Sequence, residues 1–123
     1  MKKLSKAQKE TLEYIISEIN DIRRFKTVDE YLEYRYKRAV ETTWFYKDYT
    51  FEMWLNFKSV GDTTNKELYT DWYNERYNGK MVTHGVNKRT LAKLQEFGYI
   101  DNIEEWFDND EEIQVNLEAC GIR

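Results

Sequence analysis

The chain has 123 residues, 41% of them hydrophobic and 16% aromatic, which is enough to bury one core and too little for two. Its formal net charge of −4 argues against a general attraction to nucleic acid or to an anionic membrane. Cys120 is the sole cysteine, so no intrachain disulfide can form, and no apolar run approaches the roughly 20 residues of a membrane-spanning helix. We therefore expect a single soluble domain over residues 1–123, located in the cytoplasm.

Helical periodicity dominates the start of the chain. Ser5 and Gln8 have the spacing of a capping box, and the apolar stripe behind them predicts a helix to about Phe25. Thr27 and Glu30 form a second box and predict a second helix. The two stripes consist of Leu12, Ile15, Ile16, Ile19 and Ile22, and of Val28, Tyr31, Leu32, Tyr36 and Ala39.

Two further helices are predicted in the middle of the chain. The stretch TFEMWLNF, residues 50–57, suits a short helix, and the box of Thr64 with Glu67 begins another. The segment SVGDTTNKE between them is predicted to be a loop. With no proline to interrupt it, the region 1–78 is expected to be helical and rich in aromatic residues.

The spacing of apolar residues changes from a helical to a strand-like pattern after the Asn-Gly turn signal at residues 78–79. The segment KMVTH that follows predicts a strand, and Asn87 suits the N-cap of a short helix that Gly98 ends in a left-handed conformation. Residues 99–107 and 113–119 then predict two strands joined by DNDEE, because apolar and polar residues alternate along the second of them.

The segment RTLAKLQEFGYI resembles the end of a recognition helix and the turn into the wing of small winged-helix proteins. The residues that carry this likeness are Thr90, Leu91, Leu94, Gly98 and Ile100. The start, MKKLSKAQK, is similar to short open reading frames of Gram-positive phages and mobile elements. The resemblance implies an α+β fold with a helical N-terminal half and a winged-helix-like strand–helix–hairpin half over residues 79–123.

If function follows this resemblance, the helix from Asn87 approaches DNA and the protein is a small transcriptional regulator. Residues near the start of a recognition helix contact base edges, and flanking cations contact phosphates. The DNA-contacting residues would then be Asn87, Lys88, Arg89 and Lys93, with phosphate contacts from Lys2, Lys3, Lys6 and Lys9.

The predicted hairpin opposes that function, because it is acidic where a DNA-binding wing is usually basic. Its carboxylates are Asp101, Glu104, Glu105, Asp108, Asp110, Glu111 and Glu112. Every second residue of a strand recurs at roughly 6.5–7 Å, comparable with phosphate spacing, so this surface suits the basic channel of a nucleic-acid enzyme. The chain looks compatible with phage inhibitors of host defence such as anti-CRISPR proteins. Alternatively, the charge only keeps the strand edges from pairing with neighbours.

The aromatic residues between positions 44 and 77 also allow two interpretations. Trp54, Leu68 and Trp72 are predicted to lie in the core. Because aromatics surround any helix drawn through residues 43–57, others must be exposed, where they suit a partner protein or a homodimer contact. The predicted partner-binding aromatics are Tyr46, Tyr49, Tyr69 and Tyr77.

Catalysis is not expected. His84 is the only histidine and lies far along the chain from Cys120, so a zinc shell would need unusual help from carboxylates. We interpret His84 as capping a strand or turn. The chain has neither a nucleophile-elbow serine nor a phosphate-binding glycine loop. We therefore predict no enzyme activity, no metal and no cofactor.

Overall fold

A computed structural model describes residues 3–107 and 110–123 and confirms the α+β class. Contacts divide the chain into two compact units. The sheet unit comprises Met1–Arg23 and Glu75–Arg123, and the helical unit comprises Arg24–Asn74. The first predicted helix therefore belongs with the C-terminal strands, so the units do not follow the predicted boundary at residue 78.

Eleven elements follow one another along the described residues. The helices are α1 (Lys6–Arg23), α2 (Val28–Thr42), a 3-10 turn (Trp44–Tyr46), α3 (Phe51–Asn56), α4 (Asn65–Tyr77) and α5 (Lys88–Glu96). The strands are β1 (Lys58–Val60), β2 (Thr63–Thr64), β3 (Lys80–Thr83), β4 (Ile100–Glu105) and β5 (Glu111–Val115). Across residues 3–107 and 110–123, no helix combines the length and apolar character that a bilayer crossing requires.

The predicted helix starts are confirmed by their hydrogen bonds. The Ser5 N–H donates to Gln8 Oε1 at 2.9 Å, and the Gln8 N–H donates to Ser5 Oγ at 3.2 Å. The Glu30 N–H donates to Thr27 Oγ1 at 3.2 Å. Because the first amides of a helix have no partner within it, each such bond fixes where a helix begins.

The core of the sheet unit lies between α1, α5 and one face of a three-stranded antiparallel sheet of order β3-β5-β4. Ile15 and Ile19 of α1 and Leu91 of α5 are fully buried in it. Each such side chain contributes about 1.5–3 kcal/mol through removal of apolar area from water. The other buried members are Leu94, Met81, Ile100, Ile113, Val115 and Ile122.

The helical unit is organised around Trp54. Its ring stacks on Tyr69 at 5.6 Å between centroids, and its backbone carbonyl accepts a hydrogen bond from the buried Asn65 side chain at 2.8 Å. The prediction that Trp54 is core is confirmed. The same prediction for Trp72 is wrong, since 38% of it is exposed. The interior face of α4 instead carries Tyr69 and Tyr73, one turn apart.

Two predicted segments differ from the observed elements. The loop predicted before α4 contains the short antiparallel pair β1 and β2. The last strand was expected over 113–119 but spans Glu111–Val115. Beyond it Asn116 starts a turn: its side chain accepts from the Ala119 N–H at 3.0 Å and its carbonyl from the Cys120 N–H at 3.1 Å. These local bonds replace the ladder that would continue the strand.

Candidate functional site

The acidic hairpin, residues 100–115, is formed by β4 and β5. Their register pairs Glu104 with Glu112 and Glu105 with Glu111. Alternation places Glu111 on the same face as Ile113 and Val115, which is the face that packs on the helices. Glu104 and Glu112 lie on the opposite face. The four glutamates of this register are therefore divided between two faces of the sheet.

The predicted carboxylates among the described residues are exposed, partly covered or, for Glu111 alone, buried. Asp101, Glu104 and Glu105 are exposed along β4. Asp110 and Glu112 are partly covered, because Asp110 Oδ2 lies 2.8 Å from His84 Nδ1 and Glu112 Oε1 lies 2.9 Å from Lys80 Nζ. His84 thus pairs with the hairpin across the end of β3, as expected of a residue that fixes a turn. Asp108 lies outside the described residues.

Glu111 does not belong to the exposed charge. Only 2% of its surface is accessible, and neither carboxylate oxygen has a hydrogen-bond donor within the described residues. Its nearest cation is Lys88 at the start of α5, whose Nζ lies 3.6 Å from Glu111 Oε1 and 3.4 Å from Glu105 Oε1. The ammonium therefore neutralises an interior carboxylate, and Glu111 does not reach a partner as predicted.

The hairpin tip carries two aromatic side chains that the sequence did not single out. Trp106 is 60% exposed and Phe107 is 72% exposed. The Trp106 N–H donates to the Asp110 carbonyl and the Asp110 N–H donates to the Phe107 carbonyl, each at 3.0 Å. The backbone at the tip is thus closed by hydrogen bonds while both rings face water. The signal in the sequence was an aromatic pair directly before a polar turn.

The cations predicted to contact DNA are mostly engaged within the protein. Lys88 is held between two glutamates, and Lys93 Nζ lies 3.1 Å from Glu96 Oε2. Asn87 caps α5 by accepting from the Arg89 N–H at 2.8 Å. Arg89 is exposed and has no ion pair within the described residues. Of the N-terminal lysines, Lys3, Lys6 and Lys9 are exposed, and Lys2 lies outside the described residues.

The four tyrosines predicted to bind a partner are all half-buried. Tyr46 and Tyr49 pack against Phe45 and Phe57 with ring centroids 5.2–5.7 Å apart. Tyr69 stacks on Trp54, as described above, and lies under the Arg35 guanidinium at 4.4 Å. Tyr77 lies under the Arg23 guanidinium at 4.3 Å. Each of these rings packs against side chains of its own unit, so each presents little area to a partner.

The environment of Cys120 disfavours its thiolate form. Burial raises the pKa of its thiol, and the nearby Asp101 carboxylate raises it further, from 9.0 to about 11. The Sγ lies 3.6 Å from the Tyr99 carbonyl, to which the thiol donates. The folded state therefore favours the neutral thiol. The stability this confers is complete below pH 9 and is lost as the pH rises through 11.

We expect the native protein to resist alkylation at Cys120. A pKa raised from 9.0 to about 11 lowers the thiolate fraction at pH 8 about 100-fold relative to the unfolded chain, and the thiolate is the nucleophile. Iodoacetamide labelling followed by mass spectrometry, in buffer and in concentrated urea, measures the ratio of rates. Equal rates in the two conditions would contradict the assigned environment.

The described residues include an open groove but no cluster of metal-binding side chains. Within them no group of three His, Cys, Asp or Glu side chains could hold a metal ion. An open groove of about 610 Å³ in the helical unit is lined by polar residues such as Thr63, Lys66 and Asp71. Comparisons with family models, with curated proteins and with solved structures found no match for this chain.

Proposed function

We propose that this is a non-catalytic binding protein, of phage or mobile-element origin, that captures a nucleic-acid-binding protein of the host cytoplasm, for example a CRISPR effector. The observation that carries the proposal is the acidic hairpin itself. It presents Trp106 and Phe107 at a tip closed by hydrogen bonds, beside the exposed carboxylates of Glu104 and Glu105.

Physical complementarity favours a groove that is both basic and partly apolar. Exposed tryptophan and phenylalanine supply large contact areas with few rotatable bonds, and such residues dominate the energy of interfaces. The flanking carboxylates steer the hairpin towards a positively charged surface and repel duplex DNA. A groove that normally holds a phosphate backbone has the matching charge.

The alternative is a winged-helix-like DNA-binding regulator. The strand order β3-β5-β4, with α5 between β3 and β4 in sequence, supports a winged-helix-like arrangement of the sheet unit. However, the ammonium groups of Lys88 and Lys93 both lie beside glutamates. Only Arg89 remains as a cation of α5 without an ion pair in the described residues, so we rank DNA binding second.

The capture test compares two exposed tryptophans. Immobilised protein is incubated with nuclease-treated host lysate, and captured proteins are identified by mass and then retested in purified form. Trp106→Ala is expected to weaken binding by about 30-fold or more, as loss of an interface hot spot does. Trp44→Ala is the control, because Trp44 is 85% exposed but lies in the helical unit. Equal losses in the two variants would contradict the hairpin as the binding surface.

The nature of the target is tested by competition. A short duplex or single-stranded oligonucleotide should displace the captured protein if the hairpin occupies a nucleic-acid groove. Direct titration of labelled duplex DNA at low and moderate salt tests the alternative function. Binding that weakens steeply with salt and is lost in Arg89→Ala would favour the regulator and contradict the capture proposal.

A further inference from the structure

The outer edge of β4 is an exposed sheet edge. In the order β3-β5-β4 this strand pairs only with β5, and no other strand of the described residues lies beside it. Asp101, Asn102, Glu104 and Glu105 are all exposed along it. An edge of this kind carries backbone donors and acceptors available to an added strand.

The ladder shows which backbone groups face outward. The Trp106 N–H donates to the Asp110 carbonyl at one end, and the Asn116 N–H donates to the Tyr99 carbonyl at the other. In antiparallel pairing such hydrogen-bonded pairs alternate with pairs whose N–H and C=O groups point away. Glu104 lies opposite Glu112 as one of the hydrogen-bonded pairs. The backbone N–H and C=O groups that point to the outer edge are therefore those of Ile103 and Glu105.

The side chains along this edge define the strand that would fit it. Glu105 lies on the face of Ile103, whereas Glu104 lies on the opposite face. A second copy of this chain would bring like charges together, which opposes self-pairing. A strand with a cation opposite each glutamate would be attracted to this edge. A β-branched residue opposite Ile103 would add apolar contact.

We propose that β4 accepts a basic extended segment of a partner protein as an additional antiparallel strand. This rests on the proposed function and names the form in which its partner binds. Reading along the added strand, a basic residue lies opposite Glu105, a second opposite Glu104, an apolar residue opposite Ile103 and a polar one opposite Asn102. Backbone bonds to Ile103 and Glu105 give affinity. Most of the selectivity comes from the cation opposite Glu104, because the Glu105 carboxylate already lies 3.4 Å from the Lys88 ammonium.

The test uses the full chain and a capped synthetic peptide of the order threonine–lysine–arginine–valine–threonine. Titration followed by nuclear magnetic resonance is expected to shift the amides of Ile103 and Glu105 and to slow their hydrogen exchange. N-methylation of the peptide's valine removes an amide that faces β4 and should weaken binding about threefold to tenfold. N-methylation of its arginine, whose amide faces away, should leave the affinity within about twofold. Equal effects of the two methylations, or no shift along β4, would overturn strand addition.

A charge exchange tests the assigned register. Glu104→Lys should weaken binding of the basic peptide. A peptide with glutamate in place of its arginine should bind this variant more tightly than it binds the original protein. Failure of that exchange would overturn the register. If the peptide fails while Trp106→Ala still abolishes capture of the target, strand addition is wrong and the proposed function stands. If the peptide binds as described but Trp106→Ala leaves capture of the target unchanged, strand addition stands and the proposed role of the hairpin tip in capture is wrong.

Discussion

Replacing Gly79 by alanine is expected to lower the free energy of unfolding of the sheet unit by about 2–5 kcal/mol. Gly79 has φ +87°, in the left-handed region. A Cβ there would lie 2.9 Å from the Val115 carbonyl oxygen and 3.1 Å from Leu117 Cδ2. The Val115 N–H also donates to the Gly79 carbonyl at 2.8 Å, so the backbone cannot move aside without weakening the start of the β3–β5 ladder.

Gly98 provides the matched control. Its φ is +88°, but a Cβ added to it would meet no atom within 4 Å. Gly98→Ala should therefore lower the free energy of unfolding only by the cost of placing alanine in the left-handed conformation, about 1–2 kcal/mol. Urea unfolding of both variants, followed through the amide signal of Ile113 in the central strand, isolates the effect of the close contact. Equal losses would show that the backbone near Gly79 yields freely.

Replacing Lys88 by methionine is expected to destabilise the protein by about 1–3 kcal/mol. The substitution keeps the apolar stem but removes the ammonium, leaving the Glu111 carboxylate buried without a cation. Lys93→Met is the control, because Lys93 pairs with Glu96 on an exposed helical surface, where such pairs contribute about 0.5 kcal/mol or less.

A second substitution separates charge from packing. In the Lys88→Met background, Glu111→Gln removes the buried charge and should recover most of the lost stability. Denaturant unfolding of the original protein, the two single variants and the double variant gives the coupling free energy between Lys88 and Glu111. A coupling near zero would mean that Lys88 does not neutralise Glu111. The same result bears on DNA-binding assays, since a Lys88 variant loses stability as well as charge and Arg89→Ala is the cleaner probe.

The sequence predicted the parts of the fold that local chemistry determines. The capping box at Ser5, the N-caps Thr27 and Asn87 and the left-handed Gly98 are all confirmed, because each depends on hydrogen bonds or backbone angles within a few residues. The second box forms only in part, since the Glu30 carboxylate accepts from the Lys26 N–H and not from the Thr27 N–H. The grouping of α1 with the sheet was not predicted, since it depends on contacts between distant segments.

The candidate site was predicted only in part, and Glu111 shows why. The alternation of Ile113 and Val115 extends by one step to Glu111 and places it inside. The sequence predicts a strand from Ile113 with Glu111 in the preceding turn, whereas carboxylates are rarely buried unless they are paired. The compensating Lys88 lies on a different element, and no local pattern connects the two. Trp106 and Phe107 are predicted to end a strand, and only the tertiary fold determines that their side chains are exposed.

The nested order of the two units has a consequence for synthesis. Residues 24–74 leave the ribosome before any strand of the three-stranded sheet exists, so the helical unit can form first. Meanwhile Ile15 and Ile19 have no complete core to enter until β5 has been translated. At roughly 5–20 residues per second, α1 keeps its apolar stripe uncovered for several seconds. Chaperones would meet the nascent chain there.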